Sequence, residues 1–442
     1  MMFLNPPGTT SVKLASRNPS PPRSRRPFGV SHKLPTLSLT IIAATLLLAG
    51  CGGSDSPHAE APEAALDPML VAQGKDVFRN NTFGDETQWT DTLKLNKEVE
   101  TKVDPTTALK FGLKVDSEAL PAAVVKGIQD GSISLTDPQT TLALLKLNAV
   151  LGLKGQVDTD IVSGKLKLTK LGVTCALCHS TVDNSFAPGI GKRLDGWPNR
   201  DLNSGAIIAL SPALTDLQKA VYNSWGPGMY DPRYNQDGLN GPQVIPPAYG
   251  LFGMHRIIST GDGSDLAYWN RYVGVTQMGG HGTFVDARIG TKGVNVKNGD
   301  DDLITAFLPA LQAYQLSIDA PPPPAGSFDT AAAQRGKLVF NGKGTCIACH
   351  SGKLFSDGNI RLHLVSETVG EPEKPGVPSW ASRSATKMYR TAPLAGVWQH
   401  APYFHNGSAA TLEAVVETYN SRKNLNLSTQ EISDLTQYLK SL

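Results

Sequence analysis

The chain has 442 residues, 40% of them hydrophobic and 18% charged, which excludes a short disulfide scaffold, a disordered tail and a multi-span membrane protein. Lys and Arg number 41 against 39 Asp and Glu, yet residues 1–50 hold six basic residues and no acidic one. Without that segment 35 basic residues face 39 acidic ones, a formal charge of −4 over 392 residues. A balance so close to neutral supplies no global field for nucleic acid, which is not expected as a partner.

Residues 1–50 read as a signal peptide. The apolar run Leu37–Gly50 is too short to span a bilayer comfortably and follows Arg23, Arg25, Arg26 and Lys33, the order of charge and apolar region in an export signal. It ends Leu48-Ala49-Gly50-Cys51, which resembles the lipobox of bacterial lipoproteins. That resemblance implies an exported, periplasmic chain held to the membrane by a lipid on Cys51. Residues 51–66 are small, polar and Pro-containing, as a tether would be.

The N-terminal domain is expected over 67–320. Asp67-Pro68 opens a helix over Met69–Phe78 carrying Gly74-Lys75-Asp76-Val77-Phe78, and a near copy, Gly336-Lys337-Leu338-Val339-Phe340, lies further along. Five residues separate Phe340 from Cys346, whereas 96 separate Phe78 from Cys175. The first copy therefore carries an insertion, at about 86–170, in which Leu142–Leu151 reads as a helix and Gly164–Thr174 alternates like a strand. Residues 180–320 are rich in Gly and Pro and should be loop-heavy. Pro321–Gly326 reads as a stiff linker, and 327–442 as a compact C-terminal unit. Its last helix opens with the capping box Ser428-Thr429-Gln430-Glu431 and puts Ile432, Leu435, Leu439 and Leu442 on one face. That face should pack across the unit's first helix.

The five cysteines carry the chemistry. Apart from Cys51 they form Cys175-Ala176-Leu177-Cys178-His179 and Cys346-Ile347-Ala348-Cys349-His350. In C-x-x-C-H two thiols one turn apart can add to the vinyl groups of a haem, and the adjacent imidazole becomes the proximal iron ligand. A thioredoxin-like pair needs neither the histidine nor the duplication, and a four-thiolate zinc site does not need two histidines in the same relative place. Disulfides closed within C-x-x-C would be strained. Two covalently bound c-type haems are expected, with His179 and His350 as iron ligands.

Two such motifs, with the segment Ala401-Pro402-Tyr403-Phe404-His405-Asn406-Gly407-Ser408, make the chain resemble the bacterial dihaem cytochrome c peroxidase superfamily, which includes the methylamine dehydrogenase maturation enzyme and the dihaem rubber oxygenases. The resemblance is close from about 330 to 442, weaker over 67–78 and 170–260, and absent in the insertion. It implies a mainly α fold, two cytochrome c-like haem domains with the insertion and loop-rich segments in the first, and a peroxidase-like oxidoreductase. The His179 haem would meet peroxide or dioxygen, and the His350 haem would exchange electrons with a small redox protein. A non-catalytic dihaem electron carrier uses the same motifs.

The resemblance also locates ligands. In the peroxidases a Met ligand lies fourteen residues after the motif histidine; here that position is Tyr419, the residue type of the maturation enzyme. Met388 is the alternative. The loop that holds the peroxidase distal histidine corresponds to Gln236-Asp237-Gly238-Leu239-Asn240-Gly241-Pro242 and contains none, leaving Gln236 and Asp237 as candidate catalytic groups for proton delivery. Met254, His255 and the segment Gln277–His281 are alternative sixth ligands to that iron. The family's bridging tryptophan is absent from Ser259-Thr260-Gly261-Asp262-Gly263, with Trp225, Trp269 and Trp398 as other candidates. Calcium between the domains is doubtful, because Val244 stands where its side-chain ligand would be.

Overall fold

The computed structural model describes residues 65–290, 301–370 and 378–442. The expected signal peptide, Cys51 and all but the last two tether residues lie outside them. Helices dominate, and the strands form four two-stranded pairings. No described helix is long and apolar enough to cross a membrane.

Local chemistry sets many helix starts. Asp67-Pro68, Asp104-Pro105 and Asp137-Pro138 each place an N-cap carboxylate before a proline in the first turn; Asp67 accepts the Met69 N–H at 2.8 Å and Asp104 that of Thr107 at 2.7 Å. The capping box at Ser428 forms as expected, with Glu431 N–H on the Ser428 hydroxyl and Ser428 N–H on the Glu431 carboxylate.

The short repeat in the sequence marks a crossing made twice. Helix Pro68–Asn80 packs against Leu308–Leu316, and helix Thr330–Asn341 against Thr429–Lys440. A Cβ at Gly74 would overlap the Ala310 carbonyl, and one at Gly336 the Asp434 carbonyl, so both crossings are too close for any side chain there. Four residues on, Phe78 meets Tyr314 edge-on at 5.4 Å and Phe340 meets Tyr438 edge-on at 5.2 Å, all within the core. The first partner helix, Leu308–Leu316, lies inside the stretch expected to be loop-heavy. Apolar on nearly all sides, it has no amphipathic stripe to announce it. That stretch also holds helices Ser204–Ala209, Asp216–Asn223 and Leu266–Val273.

Within the insertion, strand Leu153–Thr159 pairs antiparallel with Leu166–Val173, with Leu153 opposite Val173. Helices Leu95–Lys102 and Pro138–Lys146 cover the hairpin. The helix expected to reach Leu151 ends at Lys146, because Asn148 turns to a φ of 53° and Ala149 N–H closes back on the Leu144 carbonyl. The expected strand starts two residues late, Gly164 being in the turn at a φ of 69°. The insertion shares one apolar core with Phe78, Leu311 and Tyr314. A second core surrounds Phe340, Leu412, Val416, Leu435 and Leu439.

Candidate functional site

The first C-x-x-C-H motif lies on a single turn, Ala176–His179, directly after the hairpin. Gly152, at a φ of 73°, lets the turn before the first strand touch the Leu177 backbone; a Cβ there would overlap it. The insertion is thus the bed of this turn. Behind it, Asn199 N–H bonds the Cys178 carbonyl at 2.9 Å and Gly196 N–H the His179 carbonyl at 2.8 Å. His179 Nδ1 lies 3.1 Å from the Pro246 carbonyl oxygen. A carbonyl only accepts, so Nδ1 carries the proton and Nε2 is left with its lone pair. Burial pulls the imidazole pKa down to about 4, which keeps it neutral at pH 7.

The second motif repeats this logic on a different backbone. Cys346–Ala348 forms a 3₁₀ turn, and His350 Nδ1 lies 3.0 Å from the Phe355 carbonyl oxygen. Burial holds its pKa below the ordinary histidine value. None of the four described cysteines is in a disulfide, and burial pushes Cys175 and Cys178 up to about 12 and Cys346 to about 11, so all three are thiols. Paired free thiols beside an imidazole with a fixed tautomer and a free Nε2 are the donor set a c-type haem requires. The residues fit the group at both motifs.

Cys349, Asp357 and His363 bring ligand-type atoms within 4.8 Å of one another. Asp357 is already held by Thr391 at 2.5 Å, Arg361 at 2.6 Å and His363 at 3.2 Å, and its N–H bonds the Cys349 carbonyl. The cluster buttresses the turn of the second motif.

Tyr419, on helix Leu412–Lys423, interacts electrostatically with both Cys346 and Cys349, and burial pushes its hydroxyl up to about 12. The fold therefore brings it to the His350 motif. Met388 precedes Tyr389, which bridges to His363 through paired backbone bonds.

The other candidates are dispersed. Gln236 is exposed, and both Asp237 oxygens receive Arg383, at 2.8 and 3.0 Å; no hydrogen bond joins either side chain to the His179 turn among the described residues. Met254 and Met278 are buried, and His255 is exposed with its N–H on Asn359. His281 Nε2 faces Thr87 at 3.5 Å, while Gln277 accepts the Tyr230 hydroxyl at 3.0 Å. Tyr230 itself interacts electrostatically with Cys178. Trp225 bonds Asn240 at 2.9 Å, Trp269 stacks on Tyr272 and Trp398 meets Trp197 edge-on. Val244 gives its N–H to the His405 carbonyl at 2.9 Å.

Sequence reasoning missed a buried ionic cluster joining the two motif-bearing halves. Arg383 spans Asp231 and Asp237, and Arg233 pairs with Asp262. Trp380 lies between the guanidiniums, 4.9 Å from Arg383 and 5.5 Å from Arg233. The partners of Arg383, about 150 residues away, leave no local signal.

Comparisons with known proteins find cytochrome c-type relatives over parts of the chain. A family model described as RoxA-like, cytochrome c-like matches residues 388–425, a span that contains Met388, His405 and Tyr419. Cytochrome-c peroxidase IdrP1 of Denitromonas iodatirespirans is 30% identical over 196 residues, covering 34% of this chain and 52% of that protein. Methylamine utilization protein MauG of Methylophilus methylotrophus is 34% identical over 125 residues, 25% of this chain and 36% of that one. The chain thus spans about half the length, or less, of these relatives. Among solved structures, the diheme peroxidase BthA from Burkholderia thailandensis aligns at 16% identity with a TM-score of 0.32, covering 49% of this chain and 78% of that chain.

Proposed function

We propose that this chain, which matches cytochrome-c peroxidase and MauG proteins over part of its length, is a dihaem c-type oxidoreductase of the peroxidase kind, in the dihaem cytochrome c peroxidase superfamily. It reacts with peroxide or dioxygen at the His179 haem and exchanges electrons with a small redox protein through the His350 haem. The observation that carries the reading is the duplicated donor set: two free-thiol pairs, each followed by a neutral histidine whose Nδ1–H is fixed on a backbone carbonyl. The twice-made helix crossing supports two cytochrome c units.

When bound, a haem iron supplies one-electron chemistry and, where a position is open, a site for a small oxidant. The chain's own groups set the asymmetry. Tyr419 would supply an oxygen ligand at the His350 haem, favouring ferric over ferrous iron, while the loop 236–242, which has no histidine, would offer none to the His179 haem. The chain is exported, and Cys51 carries the lipid that anchors it at the periplasmic membrane face.

Pyridine haemochrome analysis of the mature protein should find two c-type haems per chain, and peroxide should be consumed with electrons from a reduced cytochrome or cupredoxin donor. One haem or none, or two haems that consume neither peroxide nor dioxygen, contradicts the reading. Labelling with a fatty-acid analogue should mark the wild type and fail for Cys51→Ser; an unlabelled wild type refutes the anchor.

A further inference from the structure

Two half-buried arginines hold buried guanidinium atoms with no anion beside them. Arg200 leaves Nε and Nη1 buried without a partner, and Arg390 leaves Nη1 so, its Nε being on the Ile258 carbonyl at 2.9 Å. No described carboxylate pairs with either, whereas Arg233 and Arg383 each face an aspartate. A buried, uncompensated guanidinium costs several kcal/mol, of which water can satisfy the hydrogen bonds but not the charge.

Other orphaned polar atoms gather at the same two places. His400 Nδ1 is buried and unpartnered, and it interacts electrostatically with Arg200. Thr260 Oγ1 and Gln243 Nε2 are also unpartnered, on the segment that holds Arg390: Ser259 accepts the Arg390 N–H at 2.8 Å and gives its hydroxyl to Gln243 at 2.9 Å. Each group is tied to one haem turn. Asn199, next to Arg200, bonds the Cys178 carbonyl. Downstream of Arg390, the Thr391 carbonyl accepts the Ser356 hydroxyl at 2.6 Å, and Ser356 follows Phe355, whose carbonyl holds His350.

We propose that Arg200, with His400, and Arg390, with Gln243 and Thr260, are two carboxylate-binding sites, one for each haem, whose occupants are the carboxylate side chains of the haems themselves. The inference rests on the dihaem reading. Guanidinium forks match carboxylates in shape and charge, and a haem brings two carboxylates into a fold that must neutralise them. Arg200 serves the His179 haem and Arg390 the His350 haem, and each guanidinium raises the potential of its haem by offsetting that negative charge.

The test is spectroelectrochemical titration of the haem-loaded full chain as wild type, Arg200→Gln, Arg390→Gln and the two Lys variants, with haem counted in each. The expected result is two haems throughout and a lower potential for one haem only in each Gln variant, the His179 haem for Arg200 and the His350 haem for Arg390. Lys should restore most of the potential. Should a Gln variant fail to retain haem, its Lys counterpart decides, retention of two haems at near wild-type potential supporting the site and loss of haem overturning it. Unchanged potentials in a two-haem Gln variant, or Lys as low as Gln, also overturn it. Wild-type potentials that move when chloride or phosphate is added would assign the sites to a solution anion and overturn the haem source. Fewer than two haems in the wild type would instead refute the dihaem reading.

Discussion

Replacing Arg383 by Leu tests the ionic cluster that joins the two halves. The guanidinium gives Asp231 bonds of 3.1 and 3.0 Å and Asp237 bonds of 2.8 and 3.0 Å, and it also reaches the Leu239 carbonyl at 2.9 Å. Removing one partner of a buried pair costs ~3–5 kcal/mol, because the other charge stays buried. Two features place the cost near the lower end. The Asp237 side chain is 28% exposed, so water takes over part of its solvation. Asp231, fully buried, keeps the N–H groups of Arg233, Tyr234 and Gly241. Loss of the cation–π contact with Trp380 adds ~0.5–1 kcal/mol, for a total of about 3.5–4 kcal/mol. Urea unfolding of the haem-loaded protein measures it, and Asp231→Asn in the Arg383→Leu background should recover part of the loss by removing the stranded charge. A single-variant loss below about 1 kcal/mol, the range of an exposed pair, would refute the argument that the cluster is a desolvated ion pair.

Three further substitutions read out separate levels of the account. Gly336→Ala should destabilise the chain despite the better helix propensity of alanine, since its Cβ would overlap the Asp434 carbonyl; a gain in urea midpoint would contradict the close crossing. Asp85, fully buried with the Val173 N–H on its carboxyl, has its pKa raised to about 9 by burial, so the folded state holds a proton that the unfolded chain releases near pH 4. Its contribution is present below pH 4 and lost as pH rises toward 9, at up to about 1.4 kcal/mol per pH unit; Asp85→Asn should flatten urea stability between pH 5 and 8, and an unchanged slope would refute the assignment. Tyr419→Phe should change one haem spectrum and raise that haem's potential, whereas an unchanged ferric spectrum would favour Met388 as the ligand.

What the sequence disclosed was local. Asp-Pro caps, the Ser428 capping box and both C-x-x-C-H turns depend on residues a few positions apart, and so does the strand ending at Val173. The Gly74 and Gly336 repeat showed that one helix occurs twice, but the partner of the first copy, Leu308–Leu316, has no amphipathic stripe and was hidden among glycines and prolines. The tautomer of each histidine could not be read, because the carbonyls that set it belong to Pro246, 67 residues from His179, and to Phe355, beyond a turn with no regular pattern. Asp237 looked like a free carboxylate because Arg383, 146 residues away, is what claims it. Arg200 and Arg390 carry no sequence signal, because nothing in a sequence reports the burial of single side-chain atoms.

The most direct test of the central claim is a cyanide titration of the purified ferric protein, followed by absorption and referenced to haem content. One cyanide bound per two haems, with loss of the high-spin bands and no change in the low-spin component, is the predicted result: one open iron at His179 and one six-coordinate iron at His350. Two low-spin haems that bind no cyanide would contradict it and leave a dihaem electron carrier.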